Sequence, residues 1–175
     1  MKIRLIDLGM LFALSLAVIQ TRALSAAGSP DEKAAKPVSA KKFDALANKA
    51  LAAMKQRAAE LKIGGVAVVS YALGDSMQGW TSKMAVVGRM KDEPSATQKG
   101  SNLIGIAYAK SAEMAETLQN SGTAKRPPMT GEFGWQGGVI ARTRTGYLIV
   151  AFSGGKSEDD VQVSQTGLEI LKSAL

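Results

Sequence analysis

Two adjacent stretches near the end of this chain carry residue types whose spacing could do chemistry. Phe152-Ser-Gly-Gly-Lys-Ser157 follows the apolar run Tyr147 to Ala151 and precedes a helix-like segment. A strand, a glycine turn with Gly-Lys-Ser and a helix form the outline of a phosphate-binding loop. The full motif puts a glycine five positions before Gly155, and that position is Val150. The loop is too short to wrap a phosphate chain with successive backbone N–H groups, so nucleotide binding is not expected. Glu158, Asp159 and Asp160 follow at once. Carboxylates in a first turn favour the helix dipole, and Ser157 with Asp160 has capping-box-like spacing. They would also oppose a phosphate, which Lys156 offsets only in part. Ser153-Gly154-Gly155 therefore reads as a tight strand-to-helix turn whose backbone could line a pocket.

Absences narrow the chemistry further. The chain has no His and no Cys. Ser-His and Cys-His nucleophile pairs, His/Cys zinc sites and disulfides are all excluded. Acid–base work would fall to carboxylates, Lys or Tyr. No metal site is expected, and no catalytic residue stands out.

Lys2 and Arg4 precede the apolar run Leu8 to Ile19, and small residues follow around Ala23 to Ala27. This is the pattern of a secretory signal peptide over 1–27, pointing to a secreted or periplasmic protein. The run is well short of the roughly 20 residues needed to span a bilayer, so no stable membrane anchor is expected. Gly28 to Val38 reads as a flexible leader, and 39–175 as one domain. The formal net charge is +7. Removing Lys2, Arg4, Arg22 and Asp7 leaves 7 − 3 + 1 = +5. The charges are scattered and the aromatics few, so nucleic-acid binding is not expected.

The elements that must hold the turn follow from periodicity. Ser39 can cap a helix from Ala40 to Lys62, with Phe43, Leu46, Ala50, Met54, Ala58 and Leu61 on one stripe. Gly64-Gly65 stops it. Val66 to Tyr71 is a continuously apolar strand suited to a central position, and Gln78 to Met90 is its antiparallel partner. Lys91 to Gly100 is a charged loop. Asn102 to Asn120 is a second helix, with Leu103, Ala107, Met114 and Leu118 on its stripe and Gly122 as its C-cap. A long irregular segment, Thr123 to Gln136, leads to a hairpin of Val139 to Thr143 and Tyr147 to Ser153. A helix from Glu158 to Leu175 closes the chain. The order α-β-β-α-β-β-α makes an α+β fold, an antiparallel sheet covered by helices.

Gly137-Gly-Val-Ile140, the hairpin, Ala151-Phe-Ser-Gly-Gly155 and an acidic residue in the last helix resemble the C-terminal half of the GlcG/HbpS-like, or haem-degrading domain, family. The Val66 to Val69 strand, the Gly88-Arg-Met90 strand end and the helix with Lys110 follow in family order. The resemblance covers about residues 40 to 175. The family's Gly-Gly-Ile/Val-Pro-Ile strand is not followed to its end, since Ile140 is followed here by Ala141; Phe152 stands for the usual Val and Glu113 for a frequent Thr. The resemblance implies a profilin-like fold, homo-oligomers and, in some secreted members, haem binding. Haem-binding members are thought to use a His ligand, which this chain lacks. Tyr71, Tyr108 or Met129 would have to replace it, with Arg126 or Lys125 on the propionates.

The expectation is an exported small-ligand-binding protein, with haem or a related tetrapyrrole as the first ligand to test. The pocket is expected where Trp135, Gly137 and Gly138 meet Ser153, Gly154 and Gly155, with Arg126 as an anion contact. Two rival readings are an enzyme acting on haem or a small organic acid, and a ligand-free oligomeric structural domain.

Overall fold

The computed structural model describes residues 38–174. The expected signal peptide and all but the last residue of the leader lie outside the described residues.

Helix α1 (Ala40–Glu60) starts where expected, because the Ser39 side chain accepts the Lys42 N–H at 3.3 Å. Phe43, Leu46, Ala50, Met54 and Ala58 form its buried stripe. Its end comes before the Gly64-Gly65 pair. Lys62 takes the left-handed conformation (φ 57°), Lys62 N–H returns to Ala59 O and Ile63 N–H to Ala58 O. That is a Schellman closure made without glycine.

Strand β1 (Gly65–Leu73) pairs antiparallel with β2 (Thr81–Val87). After the short ladder of β3 (Lys91–Asp92) with β4 (Ser101–Asn102) come α2 (Leu103–Thr117), β5 (Gly138–Arg142), β6 (Gly146–Ser153) and α3 (Ser157–Lys172). The main sheet has the order β2-β1-β6-β5 and is antiparallel throughout. The fold is α+β, with the expected order of helices and hairpins and with helices on both faces of the sheet.

Alternation along the strands assigns the two faces. Ala67, Val69 and Tyr71 of β1 join Leu148, Val150 and Phe152 of β6 under α1 and α3. Val66 and Val68 pack on the opposite face against Leu103, Ile106 and Ala107 of α2, as do Ile149 and Ala151 against Met114. Strands buried on both sides explain the unbroken apolar runs in β1 and β6.

Four local expectations are corrected. Strand β2 is shorter than Gln78 to Met90, because Gly88 (φ 77°) turns the chain after Val87 and sends Arg89 across to the Gly64 and Gly154 carbonyls. The loop from Lys91 to Gly100 contains β3, closed onto β4. Gly100 is needed there because a Cβ would lie 2.4 Å from Asp92 O. Helix α2 ends on Leu118, itself left-handed, rather than running to a Gly122 cap. Helix α3 has Lys156 at its N-cap with no side-chain cap bond, so Ser157 and Asp160 do not form a capping box.

Candidate functional site

Asp160 is turned inward. Lys110, near the middle of α2, reaches past the end of β6 and donates to Asp160 Oδ2 and to Phe152 O, both at 2.8 Å. The two charged side chains are only 3% and 4% exposed. Asp160 Oδ1 accepts the Gly155 N–H at 2.8 Å, so one carboxylate ties the glycine turn to α2. Burial pushes the Lys110 ammonium down and the Asp160 carboxyl up, each opposed by attraction to the other. Glu113, buried on the same helix, also favours the charged ammonium.

Gly137 makes room for this pair. Its φ is 132°, and a Cβ there would lie 2.2 Å from Lys110 Nζ. Its carbonyl is fixed by the Phe152 N–H at 3.0 Å and the Ser164 hydroxyl at 2.7 Å. Arg89 secures the other side of the turn. It donates to Gly64 O at 2.7 Å, Gly154 O at 2.8 Å and Asp92 Oδ1 at 2.7 Å.

Beside the pair lies a small cavity of about 150 Å³. Lys110, Asp160, Ser153, Ser157, Ser101 and Trp135 border it, with Leu103 and Ile106 as an apolar wall. Ser153 is 4% exposed, yet its hydroxyl makes no hydrogen bond among the described residues and opens to this cavity. The ammonium of Lys110 has three donors. Two are engaged, and the third has no acceptor among the described residues. The uncapped first turn of α3 adds free backbone donors at the rim. The arrangement can hold a small molecule by an oxygen atom.

The residues expected to share a pocket divide into two groups. Trp135, Ser153, Gly154 and Gly155 all border the cavity, and Gly137 lies directly against Lys110 Nζ. Gly138 lies elsewhere. Its N–H donates to Ser121 Oγ at 2.8 Å, and a Cβ would strike Met114. Arg126 is engaged with both oxygens of Glu132 at 2.8 and 2.9 Å and with Glu116.

Sequence reasoning missed Lys110 and Asp160 as site residues. A signal existed: each is a charged residue on the apolar stripe of its helix. Lys110 sits between Ala107 and Met114, and Asp160 precedes Val163, Gly167 and Leu171. The glycine loop is equally informative. The N–H groups that would cradle a phosphate are directed at Asp160.

The residues considered for haem do not fit that group. Tyr71 is buried under α1, with its hydroxyl donating to Thr145 Oγ1 at 2.8 Å. Tyr108 is on the opposite face of the sheet against Ser82, and Met129 is on an exposed loop. Larger open depressions exist, one of about 740 Å³ bordered by Met77, Trp80 and Leu118. None of the three candidate ligands borders that depression, and its Glu116 and Asp75 are already paired with Arg126 and Arg142. Among the described residues no three His, Cys, Asp or Glu side chains gather as a metal group, and no helix is long and apolar enough to cross a membrane.

No protein-family model and no curated protein matches the chain. A solved structure of similar course is that of Klebsiella pneumoniae protein ORFY, of the DUF336 family model. It is 18% identical, with a TM-score of 0.48, over 74% of this chain and 89% of that one. At that distance the likeness says nothing of ligand or activity.

Proposed function

We propose that this protein binds a small polar molecule, through a carboxylate or carbonyl oxygen, in the cavity between Lys110–Asp160 and Trp135. One observation carries the reading. The Ser153 hydroxyl has no hydrogen-bond partner among the described residues and faces the cavity, beside an ammonium with a donor to spare. A ligand oxygen could take a hydrogen bond from each of these two donors, worth roughly 0.5–1.5 kcal/mol apiece and more where the ammonium is the donor. The volume of about 150 Å³ is well below the roughly 300–1,000 Å³ of drug-sized sites, so the ligand is small. Two-dimensional NMR of the protein titrated with acetate, pyruvate and acetone tests it. Saturable shifts confined to Ser153, Gly155 and Trp135, weakened in Ser153→Ala, are expected. Shifts absent from these residues for all three compounds would refute the reading.

Haem is tested alongside. The scattered placement of Tyr71, Tyr108, Met129 and Arg126 leads us to expect no saturable Soret change. A saturable change lost in one of these variants would restore haem as the ligand. The proposal includes export, which rests on the signal-like residues 1–27 and is checked by N-terminal sequencing of the native protein. Self-association, implied by the family resemblance, is checked by sedimentation velocity.

A further inference from the structure

We infer that Lys110 captures small aldehydes or ketones as a protonated imine, with Asp160 as its proton partner. The inference rests on the small-ligand reading above and narrows the ligand to a carbonyl compound.

Three features of the geometry support it. Lys110 borders the cavity, whereas the other lysines of the described residues are surface groups. Its Nζ lies 2.8 Å from Asp160 Oδ2, a distance at which one proton can pass between them with the total charge of the pair unchanged. Gly137 packs its backbone against the amine on one side, so a carbonyl compound must approach from the cavity, where Leu103 and Ile106 offer an apolar wall for its carbon skeleton. Burial shifts the Lys110 ammonium down and the Asp160 carboxyl up against their mutual attraction, which eases formation of the nucleophilic amine.

The step balances. Asp160 takes one ammonium proton, leaving a neutral amine. The Nζ lone pair adds to the carbonyl carbon and the C–O π bond breaks. The nitrogen gives up one proton and the oxygen gains one, forming a carbinolamine. The hydroxyl then leaves as water with the proton from Asp160, and the C=N bond forms. One amine, one carboxylic acid and one carbonyl become one protonated imine, one carboxylate and one water. No oxidant or reductant is needed. The imine keeps its positive charge, so the buried carboxylate keeps a counter-ion. Ser153 is placed to donate to the carbonyl oxygen, and Trp135 to cover the small carbon skeleton.

The experiment is reductive trapping on the full chain. The protein is exposed briefly to glycolaldehyde with sodium cyanoborohydride near neutral pH, and adducts are located by peptide mapping. Lys110 should be labelled at least about tenfold faster than exposed lysines such as Lys41 and Lys55. Ser153→Ala should slow that labelling about five- to tenfold, as expected for one lost hydrogen bond. Because Lys110→Met alone could unfold the protein, Lys110→Met/Asp160→Leu is the control. It should fold and lose the fast adduct. Labelling spread over surface lysines with Lys110 silent would overturn the inference. If acetate still shifts Ser153 and Gly155 in that case, only the imine falls. If acetate shifts neither, the small-ligand reading falls with it.

Discussion

Two ion pairs, Lys110–Asp160 and Arg126–Glu132, look alike on paper and differ in what they can do. Both are close: 2.8 Å for the first, 2.8 and 2.9 Å for the second. Lys110–Asp160 joins α2 to α3 across the end of the sheet and meets solvent only through the small cavity beside it. Arg126–Glu132 closes a single loop, with Glu116 as a further partner. Arg126 stays partly exposed, so water and Glu116 can replace part of what Glu132 gives it, and the pairing mainly sets loop shape. Nothing replaces Lys110 for Asp160. The buried pair is the one whose loss reaches the fold, and the one whose protonation is open to chemistry.

Breaking that pair by halves should have the largest effect. Lys110→Ala leaves an uncompensated carboxylate and should cost about 3–5 kcal/mol in urea unfolding, while Lys110→Met/Asp160→Leu should recover most of it. A single variant as stable as the parent would show that the pair has no such weight.

Gly137→Ala comes next. It places a Cβ 2.2 Å from Lys110 Nζ at a φ of 132°, and should cost about 2–3 kcal/mol while freeing Lys110 from Phe152 O. Hydrogen exchange at Gly155 should rise in this variant and stay normal if the pair is not disturbed.

The pH dependence sharpens the contrast. The folded chain holds Asp160 above the ordinary 3.8 and Lys110 below 10.5. Relative to the apolar double variant, the parent should therefore gain stability as pH falls towards 3.8, because the folded carboxyl takes its proton first. It should also gain as pH rises towards 10.5, because the unfolded lysine still holds a proton that the folded one has released. Glu113 opposes the second trend by favouring the charged ammonium. Glu132 behaves oppositely to Asp160. Arg126 and the Met129 N–H lower its carboxyl to about 2, so its contribution fades only as pH falls from about 4.5 towards 2. NMR titration of the two carboxyls reads both signs directly.

The smallest effect belongs to Arg126→Ala. The side chain is committed to Glu132 and Glu116, so ligand affinity should change by no more than about twofold. A loss of tenfold or more would return Arg126 to the binding site.

Much of this architecture was legible from residue pattern. Ser39 capped α1 as its type predicts, and the unbroken apolar run at Val66 marked one of the two central strands; the strand from Tyr147, read only as half of a hairpin, is the other. The C-termini of the helices were not legible. Lys62 and Leu118 take left-handed conformations without being glycine, because packing beyond the helix, not local preference, decides where each chain turns. Gly122 was freed for another purpose. A Cβ there would lie 2.6 Å from Gln136 N, so it lets the long loop pass close by.

By itself, the sequence determined the α+β order and the absence of histidine and cysteine chemistry, since periodicity and composition are properties of the chain alone. Trp135, Ser153, Gly154 and Gly155 were also readable as neighbours, because a turn and the loop before a hairpin meet at one end of a sheet. Only the tertiary structure decided that Asp160 faces Lys110 rather than capping α3, and that Arg126 is spent on Glu132. A carboxylate in a first turn satisfies the helix dipole equally well from either rotamer. What turns Asp160 inward is an ammonium fifty residues earlier, brought within hydrogen-bonding distance by the packing of α2 and α3 around the end of β6.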